Sequence, residues 1–260
     1  MNRLQRQALI VEHLAAHGEV TVADLCKRFE TSEMTIRRDL ADMDRAGLLR
    51  RVHGGAIAAE GRSYEPPFSL RSTQERSAKE AIAARALSFI DDGDSVALDV
   101  GSTVLALAPL LAQRRGLTIV TASLPVAQHV IDALTVGRDC RLIITGGETR
   151  AGELSMVGDL AQRTYREFHV DKAFLGIGGV SLDDGLTDYN VEDALVKREL
   201  LKSAKNVFVL AHGAKFGRTR FAAVGPLDHV AAFVTDRSAP PDVVAGLAER
   251  GHEVHVVAGD

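Results

Sequence analysis

The stretch "SEMTIRRDL", residues 32–40, decides the fold of the first part of this 260-residue chain. Ser32 is a preferred N-cap residue, because its side-chain oxygen can accept a hydrogen bond from an unpaired amide of the first helical turn. Ile36, Leu40 and Met43 follow at the spacing of one apolar helical stripe. The pattern therefore predicts an amphipathic helix that begins after Ser32.

Thr35, Arg37, Arg38 and Asp42 lie off the apolar stripe and are predicted to face outward. Thr35, Arg37 and Arg38 combine hydrogen-bonding groups with positive charge, which the major groove of DNA requires of a recognition helix. The alternative is a solvated face, since charged residues are usually exposed. The helix is predicted to end at Gly47, which has the place of a C-cap glycine.

The neighbouring residues complete a small domain. Apolar residues at helical spacing predict one helix that stops near Gly18 and a second over residues 22–29, which opens with the capping-box spacing of Thr21 and Asp24. The following "LLRRVHGGAI", residues 48–57, places two apolar runs around a Gly-Gly turn and predicts a hairpin, or wing. Its basic residues, Arg50, Arg51 and His53, could reach phosphate or the minor groove.

Residues 6–56 resemble the N-terminal domain of DeoR-type transcriptional regulators. They share the Ser-x-x-Thr-Ile-Arg-Arg-Asp-Leu core, the Gly-x-Leu that follows it and the His-Gly-Gly-Ala wing. The resemblance implies that the "TIRRDL" helix is a recognition helix and that double-stranded operator DNA is a partner. The candidate DNA-binding residues are Ser32, Thr35, Arg37, Arg38, Arg50, Arg51 and His53.

Composition indicates a protein with a sizeable core and no membrane span. The chain is 46% hydrophobic, yet it has no run of about eighteen apolar residues and no apolar stretch typical of a signal peptide. A soluble cytoplasmic protein is therefore expected. Residues 1–57 carry nine Lys or Arg against eight Asp or Glu, and the rest of the chain carries 22 against 27. DNA affinity must then come from positive charge clustered on one face.

The cysteine and histidine patterns indicate neither a disulfide framework nor a metal site. Cys26 and Cys140 form no Cys-x-x-Cys pair and are expected to be buried as small hydrophobic residues. The "HEVH" of residues 252–255 lacks the spacing of a zinc-protease motif and is expected on an exposed strand. No metal or cofactor is expected.

The remainder of the chain predicts an α/β domain. Residues 58–74 contain small residues and a Pro-Pro pair without periodicity, which is typical of a partly extended linker. Beyond them short apolar strands alternate with helices, which favours a mostly parallel sheet. The predicted organisation is a winged helix-turn-helix domain over residues 1–57, a linker over 58–74 and an α/β effector-sensing domain over 75–260.

Several predicted strands end in loops rich in glycine or hydroxyl groups. Ligands bind at the carboxyl ends of the strands in parallel sheets, and "DVGST", residues 99–103, follows a strand and opens a helix where a phosphate could sit. An ordinary tight turn is the alternative for any one such loop. The "GIGG" of residues 176–179 does not open a helix, which argues against an NAD site.

The second half resembles the sensor domain of the same regulators, a fold similar to ribose-5-phosphate isomerase. The matching stretches are "DVGST", "TASLPVA", "ITGGETR", "DKAFLGIGGV" and "VFVLAHGAKFG". The resemblance implies a pocket for a phosphorylated sugar or sugar-like effector, in a homo-oligomer (dimer or tetramer) that represses a carbohydrate-metabolism operon. With the remaining strand-end residues and Glu192 added, the candidate effector-binding residues are Asp99, Gly101, Ser102, Thr103, Thr121, Ser123, Gly146, Gly147, Arg150, Gly176, Gly178, Glu192 and Lys215.

Two departures from the family pattern bear on the ligand. Residues 121–123 read Thr-Ala-Ser where the family usually reads Thr-Asn-Ser, and residues 212–215 read His-Gly-Ala-Lys where it usually reads Asp-Ser-Ser-Lys. Fewer polar groups remain to hold sugar hydroxyls, so the effector is expected to be less hydroxylated or differently oriented. Lys215 remains as a point charge suited to phosphate.

Two other functional classes compete with a regulator. In an isomerase-like enzyme Asp99, Glu192 and Lys215 could do acid–base work, but a winged helix gives such an enzyme no advantage. A protein-interaction adaptor would not need the pair of Arg37 and Arg38. The sequence therefore favours a regulator without catalytic residues.

Overall fold

The computed structural model of the protein describes residues 3–45, 48–58, 61–135 and 139–259. It divides into two compact units, Met1–Leu70 and Arg71–Asp260. Among the described helices, none combines the length and the apolar character that a membrane crossing requires.

The first unit contains short helices and a hairpin, as the sequence predicted. Its elements are α1 (Arg3–His17), β1 (Glu19–Thr21), α2 (Val22–Phe29), α3 (Glu33–Arg45), β2 (Leu49–Val52), β3 (Gly55–Ala58) and α4 (Phe68–Arg71), whose last residue begins the second unit. Strand β3 pairs antiparallel with both β1 and β2. Gly54 makes the hairpin turn at a φ of 80°, a left-handed conformation that glycine adopts without strain. The predicted C-cap at Gly47 lies outside the described residues.

The core of this unit lies between its three main helices. Ile10, Leu25, Ile36 and Met43 are at most 1% exposed, which confirms the apolar stripe of α3. Leu70 belongs to the same cluster, so part of segment 58–74 is helical and packed rather than extended.

The second unit is an α/β domain. Its elements are α5 (Arg76–Leu87), β4 (Ser95–Leu98), α6 (Ser102–Leu107) continued by a 3-10 helix (Ala108–Gln113), β5 (Leu117–Thr121), α7 (Leu124–Thr135), β6 (Cys140–Ile144), β7 (Glu148–Arg150), β8 (Ser155–Val157), α8 (Asp159–Glu167), β9 (Val170–Gly176), β10 (Gly179–Ser181), β11 (Gly185–Asp188), α9 (Val191–Ser203), β12 (Ala204–Leu210), a 3-10 turn (Gly213–Lys215), β13 (Ala222–Gly225), a second 3-10 turn (Leu227–His229), β14 (Val230–Asp236), α10 (Pro241–Glu249) and β15 (Glu253–Val257).

Seven of these strands form one parallel sheet in the order β15-β14-β12-β9-β4-β5-β6. The predicted parallel sheet is therefore confirmed. Apolar clusters cover both of its faces, as parallel sheets require. Strands β12, β9, β4, β5 and β6 are consecutive neighbours, so the loops that follow them emerge side by side along one edge of the sheet.

Candidate functional site

Helix α3 of the first unit has one buried face and one exposed face. The amide of Thr35 donates to Ser32 Oγ at 3.4 Å and that of Ile36 to the Ser32 carbonyl at 3.1 Å, which confirms Ser32 as the start of the helix. Arg37 and Arg38 are exposed, and Arg37 pairs at 2.9 Å with Glu33 one turn earlier. The exposed face thus presents two adjacent guanidinium groups.

Asp39, the next residue, is buried and was not singled out from the sequence. It is 2% exposed, and its carboxylate accepts from Arg6 Nε at 2.5 Å, which ties α3 to α1. Its position three residues after Ile36 and four before Met43 places it on the apolar stripe, and that spacing could have identified it as buried.

The wing carries a second set of exposed basic residues. Arg50, Arg51 and His53 are all exposed on β2 and the turn after it. The Arg51 amide donates to Asp44 Oδ1 at 3.1 Å, so the start of the wing is held against the end of α3. The unit therefore presents basic side chains from two neighbouring elements.

In the second unit, Asp99 lies at the end of β4 and is 1% exposed. Its carboxylate accepts from the Gly176 amide at 3.0 Å and from the ammonium of Lys197. Lys197 also donates to the Gly176 carbonyl at 2.7 Å and lies 3.3 Å from Asp188 Oδ2. Burial raises the pKa of Asp99 to about 6 despite the opposing effect of Lys197. Burial alone would lower the pKa of Lys197, but the carboxylates of Asp99 and Asp188 hold it above its ordinary value.

The hydroxyl groups predicted at the end of β5 form hydrogen bonds with other residues of the protein. Thr121 Oγ1 donates to the Leu98 carbonyl at 2.7 Å and accepts from the Ser123 amide at 3.0 Å. Ser123 Oγ accepts from the Val126 amide at 3.3 Å. These contacts join β4, β5 and the start of α7, and both hydroxyl residues are buried.

Ser102 and Thr103 begin α6, with Gly101 before them at a φ of 116°. Ser102 is buried and Thr103 half-buried. Ser102 and Lys79 both line a cavity of about 600 Å³, a size suited to small ligands. Of the predicted effector-binding residues, Ser102 is the one that lines this cavity.

The predicted glycines mainly permit close packing. A Cβ on Gly176 would lie 2.6 Å from the Val100 carbonyl oxygen, and one on Gly147 would lie 2.3 Å from that of Val157. A Cβ on Gly178 would lie 3.0 Å from the Tyr189 ring. Gly146 is exposed. Neighbouring residues thus leave no room for a side chain at Gly176, Gly147 and Gly178, whatever ligand is bound.

Arg150 contacts Asp193, the residue that follows the predicted site residue Glu192. Arg150 Nη1 donates to Asp193 Oδ2 at 2.5 Å, and Ser155 Oγ donates to Asp193 Oδ1 at 3.1 Å. Asp193 is buried, whereas Glu192 is exposed in the first turn of α9, where its amide donates to Asn190 Oδ1 at 2.8 Å. The structure therefore does not bring Glu192 together with Arg150, and Asp193 joins the candidate site in its place.

Lys215 lies in a region of positive charge. Its ammonium donates to the Tyr189 hydroxyl and lies 4.7 Å from the ring centroid. Lys79, 7% exposed, donates to the carbonyls of Arg71 and Gln74. Burial, reinforced by the charges of Arg71 and Lys215, lowers the pKa of Lys79 to about 8.

Sequence reasoning missed Lys79, Lys197 and Tyr189, and also Arg220, whose guanidinium carbon lies 4.7 Å from the centroid of the Tyr189 ring. Lys197 lies three residues after Ala194 and three before Leu200, a spacing that places it on the buried stripe of α9 and that the sequence already contained.

The arrangement also bears on the enzymatic alternative, because Asp99 is buried and already paired. A general acid or base must reach its substrate.

Within the described ranges, no group of three His, Cys, Asp or Glu residues could hold a metal ion. Cys26 and Cys140 are half-buried free thiols, less enclosed than expected.

Comparisons with known proteins cover nearly the whole chain. Residues 6–62 match the DeoR-like helix-turn-helix domain and residues 74–237 match the DeoR C terminal sensor domain. The transcriptional repressor AccR of Agrobacterium fabrum is 34% identical over 97% of this chain and 96% of its own. The glycerol-3-phosphate regulon repressor of Escherichia coli is 31% identical over 96% and 97%. A D-ribose-5-phosphate isomerase in complex with phospho-erythronic acid aligns at a TM-score of 0.40 and 17% identity over 55% of this chain and 54% of that one.

Proposed function

Because the chain belongs to the DeoR family of transcriptional regulators, we propose that it represses a carbohydrate-metabolism operon and is released from its operator by a phosphorylated sugar-like metabolite. In this proposal the first unit binds double-stranded DNA and the second binds the effector. Release follows if the effector prefers an arrangement of the protein that binds the operator less well.

The outward face of α3 carries the DNA-binding half of the proposal. Its opposite face is fixed in the core, so Arg37 and Arg38 must point away from the unit. Two of the nearby acidic groups are engaged by α1, since Asp39 pairs with Arg6 and Asp42 pairs with Arg3, while Glu33 pairs with Arg37 on the exposed face. Positive charge is thereby left on the outer surface of a domain that is almost neutral by composition. A recognition helix requires that distribution.

The positive region around Lys215 supports the effector-binding half. Burial is the main cause of the lowered pKa of Lys79, and the nearby charges of Arg71 and Lys215 lower it further against the opposing charge of Glu75. An anion would relieve this repulsion, and phosphate is an anion that lysine and arginine bind well. The relatives named as repressors of a glycerol-3-phosphate regulon and, putatively, of an aga operon support a phosphorylated metabolite from carbohydrate metabolism.

A homo-oligomer is part of the proposal. Helix-turn-helix proteins commonly read two half-sites about one helical turn of DNA apart, and two copies of the recognition helix satisfy that geometry. Repressor affinity for paired half-sites should then exceed its affinity for a single half-site.

The proposal is tested by two measurements on the full-length protein. Operator sequences selected in vitro from random duplexes are titrated by fluorescence anisotropy, first alone and then with each member of a panel of phosphorylated and unphosphorylated sugars. Sequence-specific binding that one phosphorylated sugar weakens is expected. Turnover of a sugar phosphate without any sequence-specific DNA binding would instead favour the isomerase-like enzyme.

A further inference from the structure

Two cations lie against one buried aromatic ring at the candidate effector site. The ammonium of Lys215 and the guanidinium carbon of Arg220 are each 4.7 Å from the centroid of Tyr189. Tyr189 is 5% exposed. Two charges that each lie 4.7 Å from one centroid are at most twice that distance apart, which is comparable with the screening length of about 8 Å in physiological salt, so they repel each other.

The position of Arg220 is fixed by its own contacts. Its amide donates to Thr187 Oγ1 at 2.8 Å, and its Nε donates to the Gly178 carbonyl at 3.2 Å. Because Gly178 lacks a side chain, the Tyr189 ring can lie directly beside it. Arg220 is thus held by hydrogen bonds from its backbone amide and its Nε, while Nη1 and Nη2 remain as donors for a ligand.

Arg220 forms no ion pair with any carboxylate in the part of the chain that the structure describes. Other half-buried cations of the same unit do. Arg71 pairs with Glu153, Arg150 with Asp193, and Lys172 with Asp91 and Asp94. Arg220 is thus a half-buried arginine that is held in place near Lys215 and has no carboxylate partner among the described residues, and such a group is suited to an anionic ligand.

We propose that Arg220 is a second ligand of the effector phosphate, which it holds together with Lys215, and that Tyr189 positions both cations. This inference rests on the proposed function and concerns the same site. A phosphomonoester is close to dianionic at neutral pH, so two cations match its charge. Arginine adds a planar pair of donors that fits two phosphate oxygens, which lysine cannot provide. The site should therefore select phosphomonoesters over the corresponding unphosphorylated sugars.

Single substitutions in the full-length protein test this assignment, with inorganic phosphate as the probe. Calorimetric titration at constant ionic strength, balanced with chloride, should give a dissociation constant at least tenfold weaker for Arg220→Met and for Lys215→Met than for the wild type. Arg218→Met is the matched control, because Arg218 is an exposed arginine of the same loop. It should bind phosphate within about twofold of the wild type, since salt screens the charge of an exposed side chain well.

Other variants separate charge, geometry and folding. Arg220→Lys keeps the charge but loses the planar pair of donors, so its affinity should lie between those of the wild type and Arg220→Met. If Arg220→Met unfolds at a lower temperature in phosphate-free buffer, Arg220→Gln, which keeps a donor near the Gly178 carbonyl, replaces it with the same tenfold loss expected.

Three results would overturn the assignment. Phosphate affinity equal to that of the wild type in the Arg220 variants would refute the role of Arg220. If Lys215→Met still lost phosphate binding in that case, the effector-binding half of the proposed function would stand. An equal loss in Arg218→Met would assign the effect to general charge. Failure of the wild type to bind phosphate or any phosphomonoester would refute both this inference and the proposed effector class.

Discussion

Lys197 and Asp99 form an ion pair in which the two side chains are only 4% and 2% exposed. Asp188 approaches the same ammonium at 3.3 Å, so one lysine serves two carboxylates. The cluster joins the end of β4 to the end of β9 and to α9 at the edge of the sheet where the effector is proposed to bind. With two carboxylates and one ammonium, the cluster has a net negative charge when both acids are ionised, which is consistent with the raised pKa of Asp99.

Replacement of Lys197 by Met should strongly destabilise the protein. The change leaves two buried carboxylates without their counter-ion, and loss of one partner from a buried pair typically costs about 3–5 kcal/mol. Urea unfolding followed by circular dichroism measures the change. Lys202→Met is the control, because Lys202 lies on the same helix with its side chain 67% exposed, and it should change stability by less than about 0.5 kcal/mol. Similar values for the two variants would contradict the buried cluster.

The raised pKa of Asp99 predicts a specific pH dependence. The folded protein holds the Asp99 proton with a pKa of about 6, above the ordinary value of 3.8, so this stabilising contribution is complete below pH 4 and is lost as pH rises through 6. Asp99→Asn removes the titration. The free energy of unfolding of the wild type minus that of Asp99→Asn should fall by up to about 3 kcal/mol between pH 4 and pH 7. A difference that is constant with pH, or that rises, would show that Asp99 is ionised throughout.

Substitution of Arg37 or Arg38 by Ala should weaken DNA binding in one of two ways. An arginine that contacts phosphate should, when removed, weaken binding to all sequences alike and reduce the slope of log affinity against log salt by about one. An arginine that contacts a base edge should instead reduce discrimination between sequences. Arg163→Ala is the matched control, since Arg163 is also an exposed helical arginine paired with an acid one turn away. Unchanged affinity in both α3 variants at every salt concentration would mean that α3 does not read DNA.

Asp39→Ala should affect stability rather than DNA contacts, although Asp39 directly follows these arginines. Its removal leaves Arg6 without its buried partner, a change that typically costs about 3 kcal/mol or more. Thermal unfolding should therefore shift, while the DNA affinity measured well below the unfolding temperature should keep the wild-type salt slope. A reduced slope in the folded variant would contradict this assignment.

The second unit is predicted to fold without the first when it begins at Arg71. A fragment 71–260 retains the pairing of Arg71 with Glu153 and the carbonyls of Arg71 and Gln74 that Lys79 contacts. A fragment 76–260 loses all three groups and should be less stable by about 3 kcal/mol, because the buried Lys79 loses two hydrogen-bond acceptors and the buried Glu153 loses its ion pair with Arg71. Urea unfolding compares the two. Absence of secondary structure in fragment 71–260 would place the domain boundary elsewhere.

Much of the fold could be predicted because its main elements leave strong local signals. The capping serine and apolar stripe identified α3, and uninterrupted apolar runs identified β4, β5, β9 and β12. The antiparallel strands β10, β11 and β13 were not predicted, because they are short and contain glycine. These segments are defined as strands by the backbone hydrogen bonds that they form with one another.

The candidate site was predicted less completely, for a different reason. The rule of strand ends correctly placed Asp99, Thr121, Gly176 and Lys215 along one edge of the sheet. It could not tell which polar groups pair with one another inside the protein, as Asp99 does with Lys197. Contacts between Tyr189 and Arg220 leave no local pattern, because they depend on tertiary packing between distant segments.

Gly213 has a consequence for how this site can evolve. The resemblance to the family places a serine at this position, yet a Cβ on Gly213 would lie 2.0 Å from the Ala239 amide nitrogen and 2.4 Å from the Ser238 carbonyl carbon. Backbone atoms at that distance cannot yield as a flexible side chain can, so a serine does not fit at position 213 unless the loop after β14 shifts as well. Transplanting a relative's ligand preference into this chain requires exchanging both loops together.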